Sequence, residues 1–302
     1  MPGRDRAAGA IDALSTSHRP DGLVSRLLDS AKITGTKVIR WCILDVLERC
    51  PASRSCDGCA LWDECQGIAK TTCNGFFSID DAIAAKKRTS RETWAAEMLC
   101  IRPTVQKCVF PSFDREVHEK DLPVPNASEA QHSLSIDFGF ANPLACLWIA
   151  RTGEGEQAQV YVFDEYVQEQ QTLDVHLQQI EARPWGKMRR VTCDPAGGSR
   201  NDQTAASNIQ LLRRAGYTVR SRKSLIVEGL ELIRRALRPA LGEPRLFIHA
   251  RCVRLIKAMQ SYRYGEGTES PIKDGTHDHL IDALRYFFVN SASEQKVVAR
   301  RY

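Results

Sequence analysis

The stretch HSLSIDFG (residues 132–139), followed by LACLWIA (144–150) and QVYVFDEYV (159–167), decides the fold. Each run is short, apolar and rich in β-branched or aromatic residues, as strands are. The turns between them, ANP (141–143) and TGEGE (152–156), are too short for anything but antiparallel neighbours, so the three runs predict a meander. Downstream the pattern alternates. Helices are expected at 172–182, 202–216, 225–241 and 250–262, strands at RRVTCDP (189–195), YTVRS (217–221) and RLFIH (245–249), and a last helix opens near residue 277. Such an order predicts an α/β domain, a mixed sheet covered on both sides.

Upstream, a helix is expected at GLVSRLLDSAKI (22–33) and a strand at KVIRWCIL (37–44). A helical stretch at 78–99 is opened by Ser78 as N-cap, with Asp81 three residues later. LPVPNASEA (122–130) has the prolines and small polar residues of a linker, which puts the main boundary near residue 128. The longest apolar run, LACLWIA, has the length of a strand and not of a membrane span, and the N-terminus lacks the apolar core of a signal peptide. The expected setting is therefore cytoplasmic, with no membrane partner.

The net charge of +5 conceals an asymmetry: residues 183–263 hold 18 Lys or Arg against five acids. An excess of this size points to a polyanion, and nucleic acid is the first choice. Arg200, Arg220, Arg222 and Lys223 are the candidate phosphate contacts. The plainer alternative is a solvated surface on which arginines cover helix faces.

HDHLIDALRY (277–286) sets ionisable groups into the apolar start of a buried helix, a costly arrangement unless partners offset it. Asp137 and Asp194 each end a strand just before a turn, where ligands approach. Asp278 and Asp282 lie one helical turn apart on the same stripe as Arg285. Singly, each Asp is as well explained by capping a turn or a helix dipole. Together they form an oxygen-ligand set suited to Mg²⁺ or Mn²⁺, and a pair of such ions can activate water for phosphodiester cleavage.

Cys50, Cys56, Cys59 and Cys65, flanked by Cys42 and Cys73, contain a C-x-x-C core within a four-cysteine set. This spacing predicts structural Zn²⁺, with a [4Fe–4S] cluster as the rival and unliganded thiols as the remaining reading. The other five cysteines are scattered.

SIDFGFANP (135–143), TCDPAGGSRND (192–202) and KDGTHDHLIDALRY (273–286), in this order and spacing, resemble the large terminase subunit of tailed bacteriophages, in its C-terminal nuclease domain. WCILDVLERC, GFFSIDDAI, TWAAEMLCIRP and VFPSFD extend the resemblance over nearly the whole chain. The resemblance implies a ribonuclease H-like fold for residues 128–302, a Cys-rich metal-binding segment and helical linker over 50–127, and the end of an ATPase domain over 1–49. It implies metal-dependent cleavage of concatemeric double-stranded DNA in the host cytoplasm, with the portal protein and small terminase subunit as partners. Asp137, Asp194 and Asp278 match the family's acidic ligands, with Asp282 the second choice for the third; His277 and His279 are candidates to assist with phosphate or water. A G-x-x-x-x-G-K-[ST] loop is absent, so no ATPase activity is expected from these residues. The alternatives are a catalytically idle DNA-binding or portal-docking module and, more distantly, another ribonuclease H-like enzyme.

Overall fold

The structure, a computed structural model, describes residues 12–16, 23–101, 108–199, 206–265 and 270–291. Packing divides the chain into two units, one drawn from residues 1–82 and 92–105, the other from 83–91 and 106–302. Position 128 thus falls inside the second unit.

The second unit is built on a seven-stranded mixed sheet. Its strands are β1 (Glu119–Lys120), β2 (Gln131–Asp137), β3 (Leu144–Thr152), β4 (Gln159–Gln168), β5 (Arg190–Cys193), β6 (Thr218–Arg220) and β7 (Leu246–His249). They lie in the order β1-β7-β4-β3-β2-β5-β6. β2, β3 and β4 form the expected antiparallel meander, while β5 and β6 continue it parallel to β2, and β7 and β1 continue the other side parallel to β4. Just ahead of the linker-like stretch 122–130, the chain supplies β1: Glu119 and Lys120 pair with Ile248 and His249.

Period-two alternation assigns the two faces. Ala145, Leu147 and Ile149 of β3 face the helices Ile226–Leu237, Val253–Ser261 and Asp278–Ser291. Cys146, Trp148 and Ala150 face the helices Leu173–Glu181 and Asn208–Arg214. β2 departs from this apolar rule on the first face, where it presents Ser133, Ser135 and Asp137, all buried. Small polar side chains let the final helix come close: Ser135 Oγ donates to the Ala283 carbonyl at 2.6 Å, and Thr192 Oγ1 donates to Ser135 Oγ at 2.7 Å. The opposite side of that helix is equally tight. A Cβ on Gly229 would stand 2.2 Å from Arg285 Cγ and 3.2 Å from Val289 Cγ2.

Two expectations are corrected. Residues 37–44 form no strand: the chain is irregular to Cys42 and then makes a short helix, Ile43–Val46. The Asp45 carboxylate accepts the Cys42 N–H at 2.7 Å, a local bond that competes with strand pairing. The stretch 78–99 is also not one helix. Ser78 Oγ accepts the Asp81 N–H at 3.0 Å, the N-cap contact predicted, but the helix ends at Lys87. Ser90 is drawn away from it, its N–H donating to Glu231 Oε1 at 2.9 Å, and the chain resumes as one α-helical turn at Arg91–Thr93 that runs into a turn of π-helix at Trp94–Met98.

Because Gly229 lets two buried helices meet, Gly229→Ala should destabilise the protein by about 1–3 kcal/mol through overpacking, outweighing the roughly 1 kcal/mol that Ala gains in helix propensity. Urea unfolding measures this, and a stabilised variant would refute the close packing.

Candidate active site

The C-terminal ends of β2, β5 and β6 lie side by side, since Ile136 pairs with Cys193 and Thr192 with Arg220. Register therefore sets Asp137, the last residue of β2, beside Asp194, which follows β5. The final helix, starting at Asp278, covers the same sheet face and brings its first turns over Asp137.

Contact between them is direct. His279 Nδ1 lies 2.9 Å from Asp137 Oδ2, and both side chains are almost wholly buried. Burial pushes the Asp137 carboxyl up to about 6; the His279 hydrogen bond pulls it down, and the charges of Asp282 and Asp194 push it up again. His279 is raised in turn, first by its bond to Asp137 and further by the charges of Asp278 and Asp282. The pair is thus a buried histidine–carboxylate contact facing additional negative charge.

The remaining acids differ in how they are satisfied. Asp282 Oδ1 accepts from Arg285 Nε at 3.0 Å, and its Oδ2 lies 3.7 Å from Lys273 Nζ. Arg285 also stands 4.4 Å above the Tyr286 ring. Asp278 is buried, and its Oδ1 has no hydrogen-bond partner; His279 Nε2 is buried and unpartnered as well. Asp194 is half-buried and accepts the Ala196 N–H at 2.9 Å, the turn-capping role open to any Asp before Pro.

Asp274 was not singled out from the sequence. Its Oδ1 accepts the N–H groups of Thr276 and His277 at 2.9 and 2.8 Å, and its Oδ2 meets His277 Nδ1 at 2.6 Å. Against the cost of burial, the His277 ring and these N–H groups hold Asp274 down at about 2. The signal was legible in D-G-T, an Asx-turn sequence just ahead of a helix. His277 is thereby committed to the loop, and His279 is the histidine that reaches Asp137.

Of the predicted phosphate contacts, Arg220, Arg222 and Lys223 are exposed at the β6 end of this same edge, and Arg222 is paired with Glu228 at 2.6 Å. Arg200 lies outside the described residues. Part of the basic excess is tied to neighbouring groups of the fold. Arg234 donates to the Val109 carbonyl, Arg254 to that of Val167, and Arg183 pairs with Asp164.

In the other unit, Cys50, Cys56, Cys59 and Cys65 are half-buried thiols in one neighbourhood. Burial raises the Cys50 thiol, and Cys56 and Cys65 are close enough to add to the rise. A turn in which the Cys59 N–H donates to the Cys56 carbonyl at 3.2 Å, with Gly58 at φ +68°, shapes the C-x-x-C core. Among the described residues, no three His, Cys, Asp or Glu side chains, here or around Asp137, converge tightly enough to hold a metal ion as they stand. By donor chemistry the Asp137 site nevertheless fits a hard cation: three buried carboxylates, one oxygen without a partner, and a carboxyl raised by burial first and by its acidic neighbours second.

Residues 134–291, more than half the chain, match the family described as the terminase RNaseH-like domain, and the chain belongs to that family. Its mixed sheet with flanking helices is the ribonuclease H-like fold. The large terminase of a thermophilic bacteriophage aligns with TM-score 0.54 at 20% identity, over 75% of this chain and 59% of that one. With ATP-gamma-S bound, the same phage protein aligns with TM-score 0.55 at 19% identity, over 90% and 67% of the two chains. In the first comparison, then, the chain spans about three-fifths of the phage protein. Curated proteins gave no significant match. Among the described residues, no helix is long and apolar enough to cross a membrane.

The raised Asp137 carboxyl has a consequence for stability. The unfolded chain releases this proton near 3.8 and the folded protein near 6, so folding holds a proton between those values and stability falls as pH rises through that window. Asp137→Asn removes the buried charge. In metal-free buffer it should raise stability at pH 7.5 by about 1–2 kcal/mol and leave it unchanged near pH 3.5. Thermal unfolding at both pH values checks this; a loss at pH 7.5 would show that the His279 bond outweighs burial.

Proposed function

We propose that this domain is a divalent-cation-dependent endonuclease that cuts concatemeric double-stranded DNA during phage genome packaging. The observation that carries the reading is the buried acidic cluster around Asp137: opposing cations satisfy Asp282, but an Asp278 oxygen is left without a partner. Asp137, Asp194 and Asp278 are the residues that would hold Mg²⁺ or Mn²⁺, with Asp282 the alternative third ligand. Bound there, such ions supply activation of a water and charge stabilisation of the leaving oxygen.

The chain's own residues have separate tasks in this reading. His279 holds Asp137 in place and offsets part of its charge, so that the carboxylate would be oriented for a cation held by Asp137, Asp194 and Asp278. Arg285 and Lys273 fix Asp282 and limit repulsion within the cluster. Arg222 and Lys223, at the same sheet edge, steer the phosphate backbone without reading bases. The idle-module alternative would give no reason to bury acids so close together. Membership of the family supports the portal protein and the small terminase subunit as partners, and the host cytoplasm as the place of action.

The test is cleavage of plasmid DNA by the purified protein with Mn²⁺ or Mg²⁺. Asp137→Ala and Asp194→Ala should abolish it, and His279→Ala should lower it at least about tenfold, a loss typical of a group that orients a metal ligand. His277→Ala, committed to Asp274, should stay near wild type. Wild-type rates in the two aspartate variants would sink the assignment.

We also propose a structural metal for Cys50, Cys56, Cys59 and Cys65, Zn²⁺ first and a [4Fe–4S] cluster second. The neighbouring thiols and the Cys56–Cys59 turn support it. Protein prepared without oxygen should be colourless with about one zinc per chain, or brown if a cluster is bound. Cys59→Ser should lose the metal and loosen residues 42–73 in hydrogen exchange. Elemental analysis that finds neither zinc nor iron would leave the cysteines as plain thiols.

A further inference from the structure

At the end of the sheet away from Asp137, an open groove of about 870 Å³ is lined by Arg151, Lys187, Arg189 and Arg190. Register fixes its place: Gln131, at the start of β2, pairs with Arg151, whereas Asp137 pairs with Ala145 at the other end. Arg190 opens β5 opposite Thr218, the first residue of β6. Two acids, Glu129 and Glu154, also line the groove. Lys187 is engaged, 2.8 Å from Glu181 and donating to the Ala215 carbonyl at 2.9 Å. Arg189 and Arg190 are exposed and make no side-chain ion pair among the described residues. Through Lys187 and Ala215, the exposed Arg213 and Arg214 in the last helical turn come to the same end.

This basic end is joined to the acidic one. β6 is the edge strand, and it runs parallel to β5 from Thr218, opposite Arg190 at the groove, to Arg220, opposite Thr192 and two residues short of Asp194; Arg222 and Lys223 follow it directly in the chain. At about 3.3 Å per residue the separation is roughly 15–20 Å. One duplex, rising about 3.4 Å per base pair, spans it in about five or six pairs.

We propose that the groove end is a second phosphate-contacting surface for double-stranded DNA, holding the duplex a half-turn away from the acids that cut it. The proposal rests on the nuclease reading above and adds a place where the duplex is gripped. The occupant is a long polyanion and not a small one, because the free guanidinia are exposed and spread along an open rim. An acidic protein partner is less suited, since the wall lacks an exposed apolar anchor of the kind protein interfaces use. Met188 is buried, and the Trp185 ring lies under Arg251 with its N–H donated to Asp164.

The experiment measures binding of a 20-base-pair duplex in EDTA, so that no cleavage enters, across a range of salt concentrations. For Arg189→Ala/Arg190→Ala, loss of two phosphate contacts should lower the slope of log affinity against log salt by about 1.8. Arg189→Lys/Arg190→Lys should restore it, and the Mn²⁺-induced rise in melting temperature should match wild type in both, as the fold and acidic site are untouched. An unchanged slope in the alanine variant, with wild-type binding intact, overturns the second surface alone. Wild-type protein that binds no DNA at all overturns the nuclease reading on which it rests.

Discussion

Everything distinctive in this domain depends on a single buried contact, the Asp137–His279 pair between the end of β2 and the first turn of the final helix. Ion pairs in a low-dielectric interior stabilise little in themselves, because desolvation offsets the attraction. Here the contact sits among more carboxylates than its cations can neutralise, and the rest of the fold is arranged to hold it. β2 gives up apolar side chains on one face so that Ser133, Ser135 and Asp137 can lie under the helix. Ser135 ties the helix backbone to the sheet, and Gly229 lets the neighbouring helix press on Arg285, which in turn secures Asp282. The apolar core on both sides of the sheet supplies the stability that this polar seam costs.

The parts legible in the sequence are those dictated by short-range pattern. The meander followed from three apolar runs with turns too short for crossovers, and the parallel additions from helix–strand alternation. That Asp137, Asp194, Asp278 and Asp282 lie close together was foreshadowed by pattern: the first two stand at strand ends just before turns, and the last two are carboxylates in an apolar helix.

What was not legible depends on tertiary partners. Lys120 gives no local sign that it will pair at a sheet edge with His249, more than a hundred residues away. Nothing in KVIRWCIL shows that no strand will lie beside it, nor that Asp45 will capture the Cys42 amide. The two histidines of HDH look alike in sequence; only the helix start, fixed by Asp274, turns one to the loop and the other to Asp137. The basic excess was legible as a count but not as a surface, because Arg183, Arg234 and Arg254 are tied to acids or carbonyls of the fold while Arg189 and Arg190 make no side-chain ion pair among the described residues.

That the Asp137 cluster is a cation site whose ligands must first lose protons is tested most directly by Mn²⁺ binding, followed by electron paramagnetic resonance between pH 5 and pH 8. Affinity should tighten as pH rises through about 6, where Asp137 gives up its proton, and should disappear in an Asp137→Ala/Asp194→Ala double variant. Equal Mn²⁺ affinity in the wild type and the double variant at pH 8 would contradict it.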